Sequence, residues 1–200
     1  MSLTSVIRPN TIDSDAIAAL ISRWTLDCYV DADFAGGFQK ADPTNPNDCK
    51  SRTGFVIKYA GCPIVWSSKL QSTIALSTTE AEYMAMSMAL REVIFMENLL
   101  SEMKQKGVRL VEQQSRVMIR VFEDNVGAIE LAKLPKLRPR TKHIAIQYHH
   151  FRSWTSEDAQ GNPPRIKVEH IRTSEQEADI MTMPLAIGSF EYLRKLLLGW

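Results

Sequence analysis

Five acidic residues have types and positions that could do chemistry: Asp31, Asp33, Glu82, Asp124 and Asp179. Asp31 and Asp33 fall on one face of an alternating stretch, Leu26 to Phe34, whose other face is Leu26, Cys28, Val30, Ala32 and Phe34. That alternation predicts a strand, and a strand with a solvated face would also carry acids there. Glu82 heads a helical stripe continuing through Met86, Ala89, Val93, Met96 and Leu100. A carboxylate at the head of an apolar stripe points at the protein body, where an unpaired charge is costly. Its nearness to the positive helix start is the plainer explanation. Asp124 closes an apolar strand and opens a helix, so capping alone would also suit it. Asp179 sits beside Ala178 and Ile180 in a helix expected to begin at Ser174, where an exposed position is the simple alternative.

Acids from a strand centre, a helix start and a strand end could converge over one sheet. Their repulsion would oppose this unless cations neutralised it. An all-oxygen donor set favours Mg²⁺ or Mn²⁺ over Zn²⁺. Two such ions about 4 Å apart can activate a water and stabilise the departing oxygen in phosphodiester cleavage.

The elements that must position these acids can be read in order. Thr53 to Tyr59 and Pro63 to Ser67 predict a hairpin around Gly61. Ser77 with Glu80 forms a capping box for a long helix reaching about Met103, with Gly107 as its stop. Arg116 to Phe122 predicts a strand, and Asp124 or Asn125 caps a helix to about Leu134. A helix over His143 to Trp154 and a strand over Arg165 to Ile171 follow. Ser174 with Glu177 makes a second capping box for a helix ending near Pro184, and Ser189 to Leu198 is a last amphipathic helix. Three meandering strands followed by alternating helix and strand predict an α/β fold: a mixed five-stranded sheet flanked by helices. Residues 1–25 read as an extension in which Asp13 to Trp24 could be helical, and residues 26–200 as one domain.

The 200 residues are 44% hydrophobic, enough for a real core. Lys and Arg number 24 against 23 Asp and Glu, so any nucleic-acid surface must come from local clustering. Such a cluster exists. Leu131 to Ser156 contains no acid but holds Lys133, Lys136, Arg138, Arg140, Lys142 and Arg152, a run that is either a solvated face or a phosphate-binding one. Tyr148, Phe151 and Trp154 are expected to pack in the core or against a helix rather than to stack on bases. No apolar run is long enough to span a membrane, and Met1 to Asn10 lacks a secretory core. Cys28, Cys49 and Cys62 form neither a disulfide framework nor a zinc motif, which points to an intracellular, reduced protein.

Seven stretches together resemble one family: Tyr29 to Gly36 (YVDADFAG), Lys50 to Gly54 (KSRTG), Trp66 to Ser72 (WSSKLQS), Leu76 to Ala85 (LSTTEAEYMA), Glu123 to Ile129 (EDNVGAI), Arg140 to Ile144 (RTKHI) and Glu177 to Pro184 (EADIMTMP). The sequence from about Leu26 to Leu198 is similar to the ribonuclease H domain of copia-type retrotransposon Pol polyproteins. The resemblance implies a ribonuclease H-like fold with the first strand central. It implies cleavage of the RNA strand of RNA–DNA hybrids, leaving 3′-hydroxyl and 5′-phosphate ends. The family's four carboxylates fall on Asp31, Glu82, Asp124 and Asp179, with Asp33 the rival to Asp31, and they would hold two Mg²⁺ ions, replaceable by Mn²⁺. Lys136, Arg138, Arg140 and Lys142 become candidates for gripping the hybrid. Selectivity would rest on shape and 2′-hydroxyl contacts. A reverse transcriptase domain would be the partner, and a cytoplasmic virus-like particle the setting. Two other functions fit the same elements: an inactive module that binds hybrid or supports a polymerase, and a nuclease or strand-transfer enzyme acting on DNA. His170 lies near the loop where cellular ribonucleases H carry a histidine, and a surface or structural role is equally open to it.

Overall fold

Strand β1 (Thr25–Asp33) is the organising element of the computed structural model, which describes residues 25–37, 45, 48–108, 117–134 and 146–199. The helix expected over Asp13–Trp24 lies outside the described residues. Antiparallel β2 (Arg52–Tyr59) flanks β1 on one side and parallel β4 (Met118–Glu123) on the other. Edge strands β3 (Cys62–Leu70) and β5 (Lys167–His170) complete the order β3-β2-β1-β4-β5. This is the mixed five-stranded sheet the sequence implied, with the first strand at its centre.

The period of two in β1 decides what each face of the sheet carries. Leu26, Cys28, Val30 and Ala32 are buried with Phe55, Ile57, Ile119 and Val121 under α1 (Thr78–Gln105). Ser77 caps α1, its hydroxyl accepting from the Glu80 N–H, and the Glu80 carboxylate accepts from the Leu76 N–H. Just beyond α1, Gly107 adopts positive φ at the stop the sequence marked. Met86, Ala89 and Val93 of the expected stripe are fully buried, each Val or Met side chain contributing about 1.5–3 kcal/mol. The hairpin joining β2 to β3 turns at Ala60 and Gly61, both at positive φ, as a two-residue turn matched to strand twist requires.

The opposite face carries Asp27, Tyr29 and Asp31. Arg120 forms a two-pronged ion pair with Asp27 at 2.7–2.8 Å, and Tyr29 stacks on Phe122 at 4.9 Å. Short helix α4 (Asp179–Thr182) and α5 (Ile187–Leu198) cover this face beside β2 and β3. The approach of α4 needs Gly54: a Cβ there would meet Thr182 Cγ2 at 2.6 Å and Met181 Cβ at 2.7 Å. Gly54 pairs with Asp31 in the β1–β2 register, so its missing side chain admits α4 directly beside that acid.

Two sequence expectations are corrected. The helix expected over His143–Trp154 is, where described, a 3₁₀ turn (Ile146–His149) followed by α3 (Arg152–Thr155). Tyr148 and Phe151 both face the core three residues apart, which suits a tighter turn, and Thr155 donates to the Ala132 carbonyl. The helix expected from Ser174 is a 3₁₀ turn (Thr173–Glu175) and then only the single turn of α4. Glu177 does not serve a capping box. It is drawn instead to Lys58, whose Nζ lies 2.9 Å from Oε1 and also donates to the Leu196 carbonyl at 3.0 Å. No helix among the described residues is long and apolar enough to cross a membrane.

Candidate active site

Three of the five acids gather where β1, the start of α1 and the end of β4 meet, and Asp179 lies near enough to feel their charge. Asp31, Glu82 and Asp124 each place a carboxylate oxygen within 4.8 Å of the other two. Asp31 and Glu82 are 5% and 7% exposed, so this is a buried charge cluster rather than an acidic surface patch. Asp33 is outside the triplet, half-buried in a hollow lined by Gly36, Lys50 and Arg52. Asp124 follows β4 directly and is spared from capping. Asn125 caps α2 (Val126–Lys133) by accepting from the Ala128 N–H at 3.0 Å. Asp179 opens α4 and is 6% exposed, where the sequence allowed an open helix position.

The electrostatics show how closely these groups are packed. Burial pushes the Asp31 carboxyl up to about 6, against the opposing hydrogen bond from Thr182, and the charge of Asp124 adds to the rise. Burial, then the charges of Asp31 and Asp124, raise Asp179 to about 7, which ties it to the triplet. Glu82 is pushed strongly upward by burial and next by the charge of Glu123.

Glu123 was not singled out in the sequence. It shares the inward parity of Ile119 and Val121, is fully buried, and is itself raised well above the usual carboxylate range by burial. Its Oε1 accepts from the Asn125 N–H at 3.0 Å, holding the turn that carries Asp124. Among the described residues, Glu82 Oε2 and Glu123 Oε2 have no hydrogen-bond partner. An all-carboxylate group with these two orphaned buried oxygens, its neighbour Cys28 kept as a protonated thiol by burial, offers the hard oxygen donors that suit Mg²⁺ or Mn²⁺. His170 is exposed at the end of β5. Lys136, Arg138, Arg140 and Lys142 lie outside the described residues.

A pH dependence follows. Asp31 and Asp179 ionise near 4 unfolded but at about 6 and 7 folded, so the folded chain holds more protons in that window. Stability of the metal-free protein therefore falls as pH rises from about 4 to about 7. Melting in chelator should show this decline, and the double variant Asp31→Asn, Asp179→Asn should make it shallower, Glu82 and Glu123 keeping the remainder. Equal slopes in the two proteins would refute the assignment.

Comparison with known proteins gives the family. The chain is 34% identical over 168 residues to the retrovirus-related Pol polyprotein from transposon TNT 1-94 of Nicotiana tabacum, covering 84% of this chain. It is 34% identical over 167 residues to that from transposon RE1 of Arabidopsis thaliana. Over most of its length the chain is thus homologous to one part of the retrovirus-related Pol polyproteins of copia-type transposons. It spans 11% and 10% of these two relatives' lengths. No family model matches it. Among solved structures, the N-terminal ribonuclease H domain of a Mycobacterium tuberculosis protein, a maltose-binding-protein fusion, aligns at 12% identity and a TM-score of 0.42. That alignment covers 86% of this chain and 97% of that one.

Proposed function

We propose that the chain is a ribonuclease H domain that hydrolyses the RNA strand of RNA–DNA hybrids, serving a reverse transcriptase in the same parent polyprotein. The observation that carries this reading is the triplet of buried Asp31 and Glu82 with half-buried Asp124. Holding three acids this close serves no folding purpose, since burial and neighbouring charge oppose ionisation of Asp31 and Glu82.

In this reading Asp31, Glu82, Asp124 and Asp179 hold two Mg²⁺ ions. Bound there, such ions lower the pKa of a water and stabilise charge on the departing oxygen. The chain's own part is to fix the donors. Strand β1 holds Asp31 rigidly, the start of α1 presents Glu82, Asn125 frees Asp124 from capping, and α4 brings Asp179 against the sheet. No cysteine or serine nucleophile is needed. Cys28, within β1, is fully buried and its thiol is pushed up by burial. Lys136, Arg138, Arg140 and Lys142 are proposed to hold phosphates, making hybrid affinity fall with salt.

The test incubates the protein with labelled hybrid, duplex DNA and duplex RNA, with Mg²⁺ or chelator. The expected result is RNA cleavage in the hybrid alone, with 3′-hydroxyl and 5′-phosphate ends and only with Mg²⁺. Hybrid bound without turnover would favour an inactive binding module, and preferential DNA cleavage would favour a different nuclease.

A further inference from the structure

The segment carrying Asp179 also sends hydroxyls to two other acids of the cluster. Thr182 Oγ1 donates to Asp31 Oδ2, joining residues 151 positions apart, and both side chains are buried. Thr173 Oγ1 donates to Asp124 Oδ2 at 2.7 Å, in an exposed setting where water competes. We propose that Thr182 is a positioning residue for the metal site, its hydroxyl fixing the plane of the Asp31 carboxylate.

The need for such a residue is local. The torsion that sets an aspartate's carboxylate plane is broad, so packing of the Asp31 chain leaves it poorly defined. A donor on one oxygen sets the plane, much as outer hydrogen-bond partners orient metal-ligating groups elsewhere. The branching of threonine suits this position. Its Cγ2 methyl lies over Gly54 while its hydroxyl meets Asp31, the residue paired with Gly54 across the β1–β2 ladder. Thr182 stands three residues after Asp179, so one turn of helix presents a cluster acid and the group that orients another. The same hydroxyl has an alternative acceptor in its own turn, the Asp179 carbonyl at 3.2 Å. The exposed Thr173 contact is expected to contribute less.

The inference rests on the proposed nuclease reading for its metal, and two independent readouts separate their fates. Mn²⁺ affinity by calorimetry and single-turnover hybrid cleavage are measured for wild type and for Thr182→Val, Thr182→Ser and Thr182→Ala, with melting temperature as a check on folding. Val keeps the shape and removes the hydroxyl; Ser and Ala differ by the hydroxyl alone. The expected result is Mn²⁺ binding about 10-fold or more weaker in the Val and Ala variants, with cleavage falling in parallel. The Ser variant should remain close to wild type. Val binding Mn²⁺ as wild type does, or Ser losing as much as Ala, overturns the positioning role. Wild type that binds Mn²⁺ but cleaves no hybrid ends the nuclease reading alone, and the role of Thr182 then stands on the loss in Val and Ala.

Discussion

Asp31→Asn and Glu82→Gln are each expected to lower hybrid cleavage by about 10³-fold or more while leaving the metal-free protein at least as stable as wild type. The loss is of the size seen when a group acting chiefly in the transition state is removed. The gain or neutrality in stability has a separate cause. Glu82 is pushed upward by burial and by the charge of Glu123, and Asp31 by burial and the charge of Asp124. An amide of the same shape carries no charge to desolvate or repel. It also keeps an acceptor for the neighbouring donors, among them the Thr182 hydroxyl at Asp31. Acids conserving function at the expense of folding should show opposite signs in the two measurements. Single-turnover cleavage and melting in chelator test both, and cleavage within about tenfold of wild type would remove that carboxylate from the mechanism.

Lys58→Met is expected to cost about 3–5 kcal/mol at neutral pH, because it strands the Glu177 carboxylate in the interior. Lys58 is almost buried, and its ammonium serves both Glu177 oxygens at 2.9 and 3.0 Å as well as the Leu196 carbonyl. Glu177 lies two residues before Asp179. The next anchor along, Gln176, donates to the Val30 carbonyl at 3.0 Å. Loss of the ion pair should therefore loosen the arrival of α4 and lower cleavage along with stability. Burial already raises the Glu177 carboxyl against the pull of Lys58, so without the lysine it rises further and the deficit narrows as pH falls. Adding Glu177→Gln to Lys58→Met should recover much of the loss, since removing both partners avoids a stranded charge. Denaturant unfolding of the three proteins decides the matter. A cost below about 1 kcal/mol in the single variant would show that the pair behaves as a solvated surface contact.

Local patterns explain what the sequence made legible. The alternation of β1 marked Asp31, and the stripe below Glu82 predicted an inward-facing carboxylate, since burial of one helix face is written at a fixed spacing. Ser77 capped as expected because its partner is three residues away. The failures came from long-range partners. Ser174 and Glu177 have the spacing of a capping box, yet Glu177 bonds Lys58, 119 residues distant, and a buried ion pair outweighs a local cap. Thr182 and Gly54 carry no periodic signal; their meaning arises only when α4 lies on β2. Glu123 could have been found from its parity with Ile119 and Val121, but an acid beside Asp124 draws attention away from the one facing inward.

The bond between Thr182 and Asp31 spans 151 positions, and β1 finds its parallel neighbour only after α1 has intervened. Pairings this remote are costly to close and form late in folding. A chain that has collapsed and gained its long helix, but has not yet docked its final short turn, would hold three acids without the fourth. On the proposed nuclease reading, a molecule at that stage would lack Asp179 beside its other acids and should not yet cleave hybrid.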